Sequence, residues 1–200
     1  MLDEIRKIFS HEAAAIMNIP VTDALAKALD AIHHAVHHHG GKIVVSGMGK
    51  AGQIAIGMAT TFSSTGTPAV WLHPAEAQHG DLGMICKNDI LLLISNSGKT
   101  REIIELVTLA KTLWAHIPII VITGNTECEL AKQADVCIDT GHPAEVCPLG
   151  LSPTTSTTVM SAIGDALVVQ MMKRIGYSKA DYALRHHGGY LGQKSRGETA

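Results

Sequence analysis

Two hundred residues with 46% hydrophobic and 17% charged side chains suit one domain with a buried core and argue against disorder. A formal net charge of −2 and 4% aromatics give no electrostatic or stacking case for a nucleic-acid binder, and no apolar run approaches the ~18 residues of a membrane span. The acidic start MLDEIRKIFS lacks a signal-peptide core, and Cys86, Cys128, Cys137 and Cys147 form no CxxC pair, so the chain reads as a cytoplasmic protein with reduced thiols.

Residues 2–18 predict an amphipathic helix that ends near Asn18 and Pro20. Thr22 can cap a second helix, with Asp23 in its first turn, that runs to His39 and stops at Gly40-Gly41. The apolar run 42–46 then predicts a strand, followed by the turn GMGKAG and a helix over 51–64. Further strands are expected at 69–73, 89–95, 117–123 and 136–139, with helices at about 100–113 and 127–134. β-branched runs without alternation indicate strands covered on both faces. Their alternation with helices indicates a parallel sheet with right-handed crossovers. The expected fold class is therefore α/β, five parallel strands between two helical layers in a flavodoxin-like arrangement. A long loop at 140–153 leads to a last helix over about 155–176 and a tail, RHHGGYLGQKSRGETA.

In an open parallel sheet ligands sit beyond the carboxyl ends of the strands. Two polar turns fall there: Ser46-Gly47-Met48-Gly49-Lys50 after the first strand, and Ser95-Asn96-Ser97-Gly98-Lys99-Thr100 after the third. The second offers three hydroxyls, an amide and the free N–H groups of a helix start, which together suit a phosphate without a metal. A helix cap alone would need one hydroxyl. Gly47, Gly49 and Gly52 fit the spacing of a dinucleotide fingerprint, but Trp71-Leu72-His73 stands where its acid would fall, so a dinucleotide is a poor second choice.

Five blocks occur in order: GMGKAG, STGTPAVWLHPAEAQHGDLGM, SNSGKTRE, CPLGLSPTTSTT and RHHGGYLG. Together they resemble the SIS (sugar isomerase) domain of arabinose-5-phosphate isomerases over residues from about 40 to 193. The resemblance implies a SIS domain over 41–193, a helical segment over 1–40 packed on it, and a tail over 194–200. It implies interconversion of D-ribulose 5-phosphate and D-arabinose 5-phosphate, supplying Kdo for lipopolysaccharide or capsule, with no cofactor. The catalytic positions it implies are Lys50, Glu102, Glu145 and His186. Substrate and phosphate would be held by Ser46, Gly47, Gly49, His79, Ser95, Asn96, Ser97 and Thr100. It also implies a homo-oligomer, commonly a tetramer, in which the tail histidine enters a neighbour's site. Family members often carry a CBS pair; its expected absence here makes the nucleotide sugar CMP-Kdo a candidate feedback inhibitor. Lys99 and Arg101 replace an acid and a serine of the family's turn, and His187 replaces a proline, which leaves His186 and His187 as alternatives for the tail histidine.

The chemistry suits these residue types. Moving a proton between adjacent carbons through an enediol needs carboxylates or histidines near their working pKa and a cation for the developing oxyanion. Glu145 is the preferred enediol base, Lys50 the cation, and Glu102 and His186 candidates for ring opening or proton shuttling. Each has a plainer reading: a first-turn acid for Glu102, a solvated loop acid for Glu145, a helix-entry charge for Lys50, a loop-ordering group for His79 and a surface residue for His186. Thr154–Thr158 either cap the last helix or line the sugar site. In HHAVHHH the pairs His33/His37 and His34/His38 have an i,i+4 spacing that can chelate zinc, although a solvated helix end is the preferred reading. Two other functions compete with the isomerase: a phosphosugar-sensing SIS protein, and an isomerase of a hexulose or heptose phosphate.

Overall fold

The computed structural model describes residues 1–197. Its sheet has five parallel strands: β1 (Ile43–Gly47), β2 (Ala69–Trp71), β3 (Ile90–Ile94), β4 (Ile119–Thr123) and β5 (Val136–Asp139), in the order β2-β1-β3-β4-β5. Every residue of β1, β3 and β4 is buried, the burial pattern expected of strands sandwiched between helices. Alternate side chains serve two cores. Ile43, Val45, Leu92, Ile120 and Ile122 face one layer, and Val44, Leu91, Leu93, Ile119 and Val121 face the other. Each such aliphatic side chain contributes about 1.5–3 kcal/mol on burial.

The first layer contains α2 (Asp23–Ile32), α3 (Gly49–Ser64) and α6 (Thr155–Arg174); the second contains α4 (Arg101–Leu113) and α5 (Glu129–Gln133). The α1 helix (Leu2–Met17) buries no residue fully, and only Ala15 packs against the first core. Asp89, 1% exposed, ties the feet of β1 and β3: it accepts from Lys42 N–H (2.9 Å), Cys86 N–H (2.7 Å) and Lys42 Nζ (2.6 Å). Among the described residues no helix is long and apolar enough to cross a membrane.

The chain departs from the sequence expectations in two regions. The second helix does reach the histidines, but His33–His38 winds as a π-helix rather than an α-helix. The tail holds α7 (Lys179–Arg185) and α8 (Gly189–Ser195), which the sequence reading left unassigned. A signal for α7 was available: Ser178 and Asp181 form a reciprocal capping box. Of the tail expected over 194–200, residues 198–200 lie outside the described residues.

Candidate active site

The switch in strand order lies between β1 and β3, since the chain leaves β1 toward β2 on one side and returns to β3 on the other. Both polar turns sit at the carboxyl ends of these strands. A cavity of about 230 Å³ opens there, lined by Met48 and Lys50 from the first turn, Ser95, Asn96, Ser97 and Thr100 from the second, and Ser156, Thr157 and Met160 of α6. The fold thus converges three segments about 50 residues apart in sequence onto one hollow.

The second turn is preorganised. Ser95 is buried; its hydroxyl accepts from Gly98 N–H (3.2 Å) and shares a 2.9 Å hydrogen bond with Thr100 Oγ1. Ser97 Oγ accepts from Lys99 N–H at 3.2 Å. Gly98 has φ +64°, and a Cβ there would lie 2.0 Å from Cys128 Sγ, so both backbone conformation and space demand glycine. Asn96 Oδ1 is buried without a hydrogen-bond partner. Thr100 precedes α4 without a side-chain cap bond, so its hydroxyl is not spent on the helix. The turn therefore keeps its shape through Ser95 while Ser97 and Thr100, just ahead of α4, line the cavity, an arrangement able to receive an anion.

The first turn divides its residues differently from the sequence expectation. Ser46 is buried and donates to Leu72 O at 2.7 Å, so its hydroxyl fastens β1 to the end of β2 rather than lining the cavity. Gly47 and Gly52 permit close strand–helix packing: a Cβ at Gly47 would lie 2.8 Å from the Ala51 carbonyl group, and one at Gly52 2.8 Å from Gly47 O. Gly49, with φ +61°, turns the chain into α3. Of this turn's polar groups only Lys50 reaches the hollow, exposed and without an ion pair among the described residues.

Glu145, on the 140–153 loop, does not line the cavity but binds the start of α6, whose Ser156 does. Its Oε2 accepts from Thr154 N–H (2.7 Å), Thr154 Oγ1 (2.9 Å) and Ser156 N–H (3.3 Å) at the N-terminus of α6. Burial opposes its ionisation, but hydrogen bonds from Ser156 and Thr154 outweigh that effect and hold the carboxyl below its ordinary range. The Ser156 hydroxyl lies close enough to act electrostatically on the carboxylate, yet completes no hydrogen bond of good geometry. The open question over the threonine run thereby divides. Thr154 serves Glu145, Thr155 Oγ1 accepts from Val146 N–H at 3.2 Å, Thr158 donates to Glu12 at 3.0 Å, and Ser156 and Thr157 line the cavity. Sequence reasoning did not single out Met48 or Met160 as lining residues; methionines at helical spacing carry no signal that separates lining from core.

Besides Ser46 and Glu145, the latter meeting the cavity wall only through Ser156, three further predicted side chains stand outside it. Glu102 lies half-buried in the first turn of α4. His79 is exposed on the short helical turn Glu76–His79, whose neighbour Gln78 donates to Glu105 of α4 at 2.6 Å. His186 caps α7, stacked on the Tyr182 ring at 3.6 Å with Nδ1 3.0 Å from Tyr182 O, and reaches none of the cavity residues within its own chain. Among the described residues, no group of three or more His, Cys, Asp or Glu is arranged to hold a metal ion.

The SIS domain family model matches residues 38–170. The chain belongs to the SIS-domain family. It is 51% identical to the arabinose 5-phosphate isomerase KdsD of Shigella flexneri over 154 residues, covering 77% of this chain and 46% of that protein. The chain thus spans about half the length of the KdsD relatives it matches. Among solved structures, a Bacteroides fragilis protein assigned as a phosphosugar isomerase involved in capsule formation superposes with a TM-score of 0.94 at 60% identity, over 95% of this chain and 99% of that one. Protein c3406 of Escherichia coli CFT073, solved in complex with arabinose 5-phosphate, superposes with a TM-score of 0.86 at 33% identity, over 92% of this chain and 96% of that one. The SIS domain here carries the Ser95–Thr100 turn and Lys50 at neighbouring strand ends, with Glu145 bonded to Ser156 of the cavity they line.

Proposed function

We propose that this protein is an aldose–ketose isomerase that interconverts D-ribulose 5-phosphate and D-arabinose 5-phosphate through an enediol, supplying Kdo synthesis in the cytoplasm. The observation that carries the reading is the Glu145 carboxyl, held at the N-terminus of α6 by Thr154 and Ser156, the latter lining the same cavity as the Ser95–Thr100 turn. The KdsD relatives and the relative bound to arabinose 5-phosphate support the choice of sugar phosphate.

The phosphate sits on Ser97, Thr100 and the start of α4, with Ser95 and Asn96 shaping the turn. That anchor supplies orientation at the distant reacting carbons. Glu145 removes a proton from C1 of ribulose 5-phosphate to give the enediolate and returns a proton to C2, and Lys50 stabilises the enediolate oxygen. Glu102 and His186 move protons on the oxygens or open the cyclic aldose. His186 does so from a neighbouring subunit, a reading supported by its distance from its own cavity. The apolar side chains Ile5, Ile8 and Phe9 exposed on α1 support association of several copies, a tetramer in the family's usual form. Feedback by CMP-Kdo belongs to the same reading; a rate unchanged by added CMP-Kdo removes it.

Proton NMR of ribulose 5-phosphate with EDTA-treated protein in D2O tests the proposal. Arabinose 5-phosphate signals with deuterium at C2 are expected. Line broadening without conversion would replace the isomerase with a phosphosugar sensor, and conversion of a hexulose or heptose phosphate in its place would change the substrate.

A further inference from the structure

The histidine run pairs differently in space than in sequence. On an α-helix, residues i and i+5 point about 140° apart. The π-helix His33–His38 closes i→i+5 turns, which brings such residues onto one face. His33 lies over His38 (ring centroids 4.6 Å) and His34 over His39 (4.3 Å), while the i,i+4 pairs His33/His37 and His34/His38 are wider at 5.5 and 5.9 Å. His37 is engaged elsewhere, with Nε2 3.2 Å from Thr67 Oγ1. In the pair His34/His39 the two Nε2 atoms themselves meet, 3.0 Å apart, and both rings are exposed.

We propose that His34 and His39 form a two-imidazole chelate for a divalent transition metal, copper or nickel in preference to zinc. Two metal–nitrogen bonds of about 2.1 Å meeting at about 90° place their nitrogens about 3.0 Å apart, whereas the tetrahedral angle of zinc needs about 3.4 Å. The observed separation matches neighbouring positions of a square or octahedral centre, with water completing the shell. In the metal-free protein one ring donates its Nε2 proton to the other. On binding, that ring carries its proton on Nδ1 instead, so both lone pairs face the metal and no proton is lost. Asp30 borders the adjoining surface cavity but is paired there with Arg174, so the two imidazoles are the protein ligands. The chelate lies at the amino end of β1, with His39 O accepting from Asn88 at 2.8 Å, and so opposite the phosphate turn at the strands' carboxyl ends.

Calorimetric titration of the full, untagged, EDTA-stripped protein with Ni²⁺ tests this. One equivalent should bind, more tightly than Zn²⁺. Binding should weaken at least about tenfold in His34→Ala/His39→Ala, persist in His33→Ala/His38→Ala, and be unaltered in Glu145→Gln. Retention of Ni²⁺ by His34→Ala/His39→Ala, its loss in His33→Ala/His38→Ala or Glu145→Gln, or tighter binding of Zn²⁺ would each overturn the assignment. Circular dichroism of each variant separates lost ligands from lost helix.

Discussion

Thr154 donates both its backbone N–H and its hydroxyl to one oxygen of Glu145, at 2.7 and 2.9 Å. A loop carboxylate is thereby locked at a helix N-terminus, where N–H donors and the helix dipole favour its charged form. As the enediol base, Glu145 must be ionised. Glu145→Gln is expected to lower kcat by roughly 10²–10⁴-fold. Binding of ribulose 5-phosphate, followed by NMR line broadening, should persist. Full turnover in this variant would remove Glu145 from the base position.

The same bonds set the pH response. They hold the folded-state carboxyl below its ordinary value, so Glu145 contributes stability above its unfolded pKa and loses it as pH falls through the folded one. Thr154→Val deletes the hydroxyl donor and raises the Glu145 pKa. The acid limb of the kcat/KM profile should therefore move to higher pH, while the alkaline limb stays. An unmoved acid limb would show that another group controls it.

Ser95 shapes the anion turn from beneath through Gly98 N–H and Thr100 Oγ1. Removing one such buried bond costs on the order of 1 kcal/mol, about fivefold to tenfold in affinity. Ser95→Ala should raise KM and the inhibition constant of inorganic phosphate together by about that factor, with a smaller change in kcat. A kcat loss at constant KM would place Ser95 in the chemistry instead.

Asp89 carries three hydrogen bonds at the feet of β1 and β3. Burial lowers the Lys42 pKa, but pairing with Asp89 more than offsets this and raises it overall. That contribution is present below the unfolded lysine pKa and lost as pH rises through the folded one. Asp89→Ala should cost about 3 kcal/mol, the low end for a broken buried pair because Lys42 stays partly hydrated, and lower Tm by roughly 6–12 °C. Calorimetry checks this; a Tm within about 2 °C of the parent would show the pair to be dispensable.

Because His186 lies away from its own cavity, two inactive variants should rescue each other. Glu145→Gln and His186→Ala, refolded together, can place an intact Glu145 and a donated His186 at one site. Activity should rise above that of either variant alone. Co-refolded mixtures that stay as inactive as their parts would confine His186 to its own chain.

Several features were legible in the sequence because they depend on local chemistry. Unbroken apolar runs in β1, β3 and β4 can be satisfied only by two covering layers, and polar turns at their ends mark a ligand edge. The need for glycine near the start of α3 is also local. Other features depended on three-dimensional distance. Ser46 and Lys50 belong to one motif, yet one hydroxyl turns down to Leu72 while the ammonium group faces the cavity. Glu145 and Thr154 are nine residues apart, and only the fold of their loop against α6 turns a solvent-style acid into a locked carboxylate. The histidine spacing likewise predicts i,i+4 pairs on an α-helix, and a local change of helical pitch creates i,i+5 pairs instead. Sequence patterns record which residues seek burial or a turn; packing decides where each polar atom finds its partner, because that depends on atoms contributed from elsewhere in the chain.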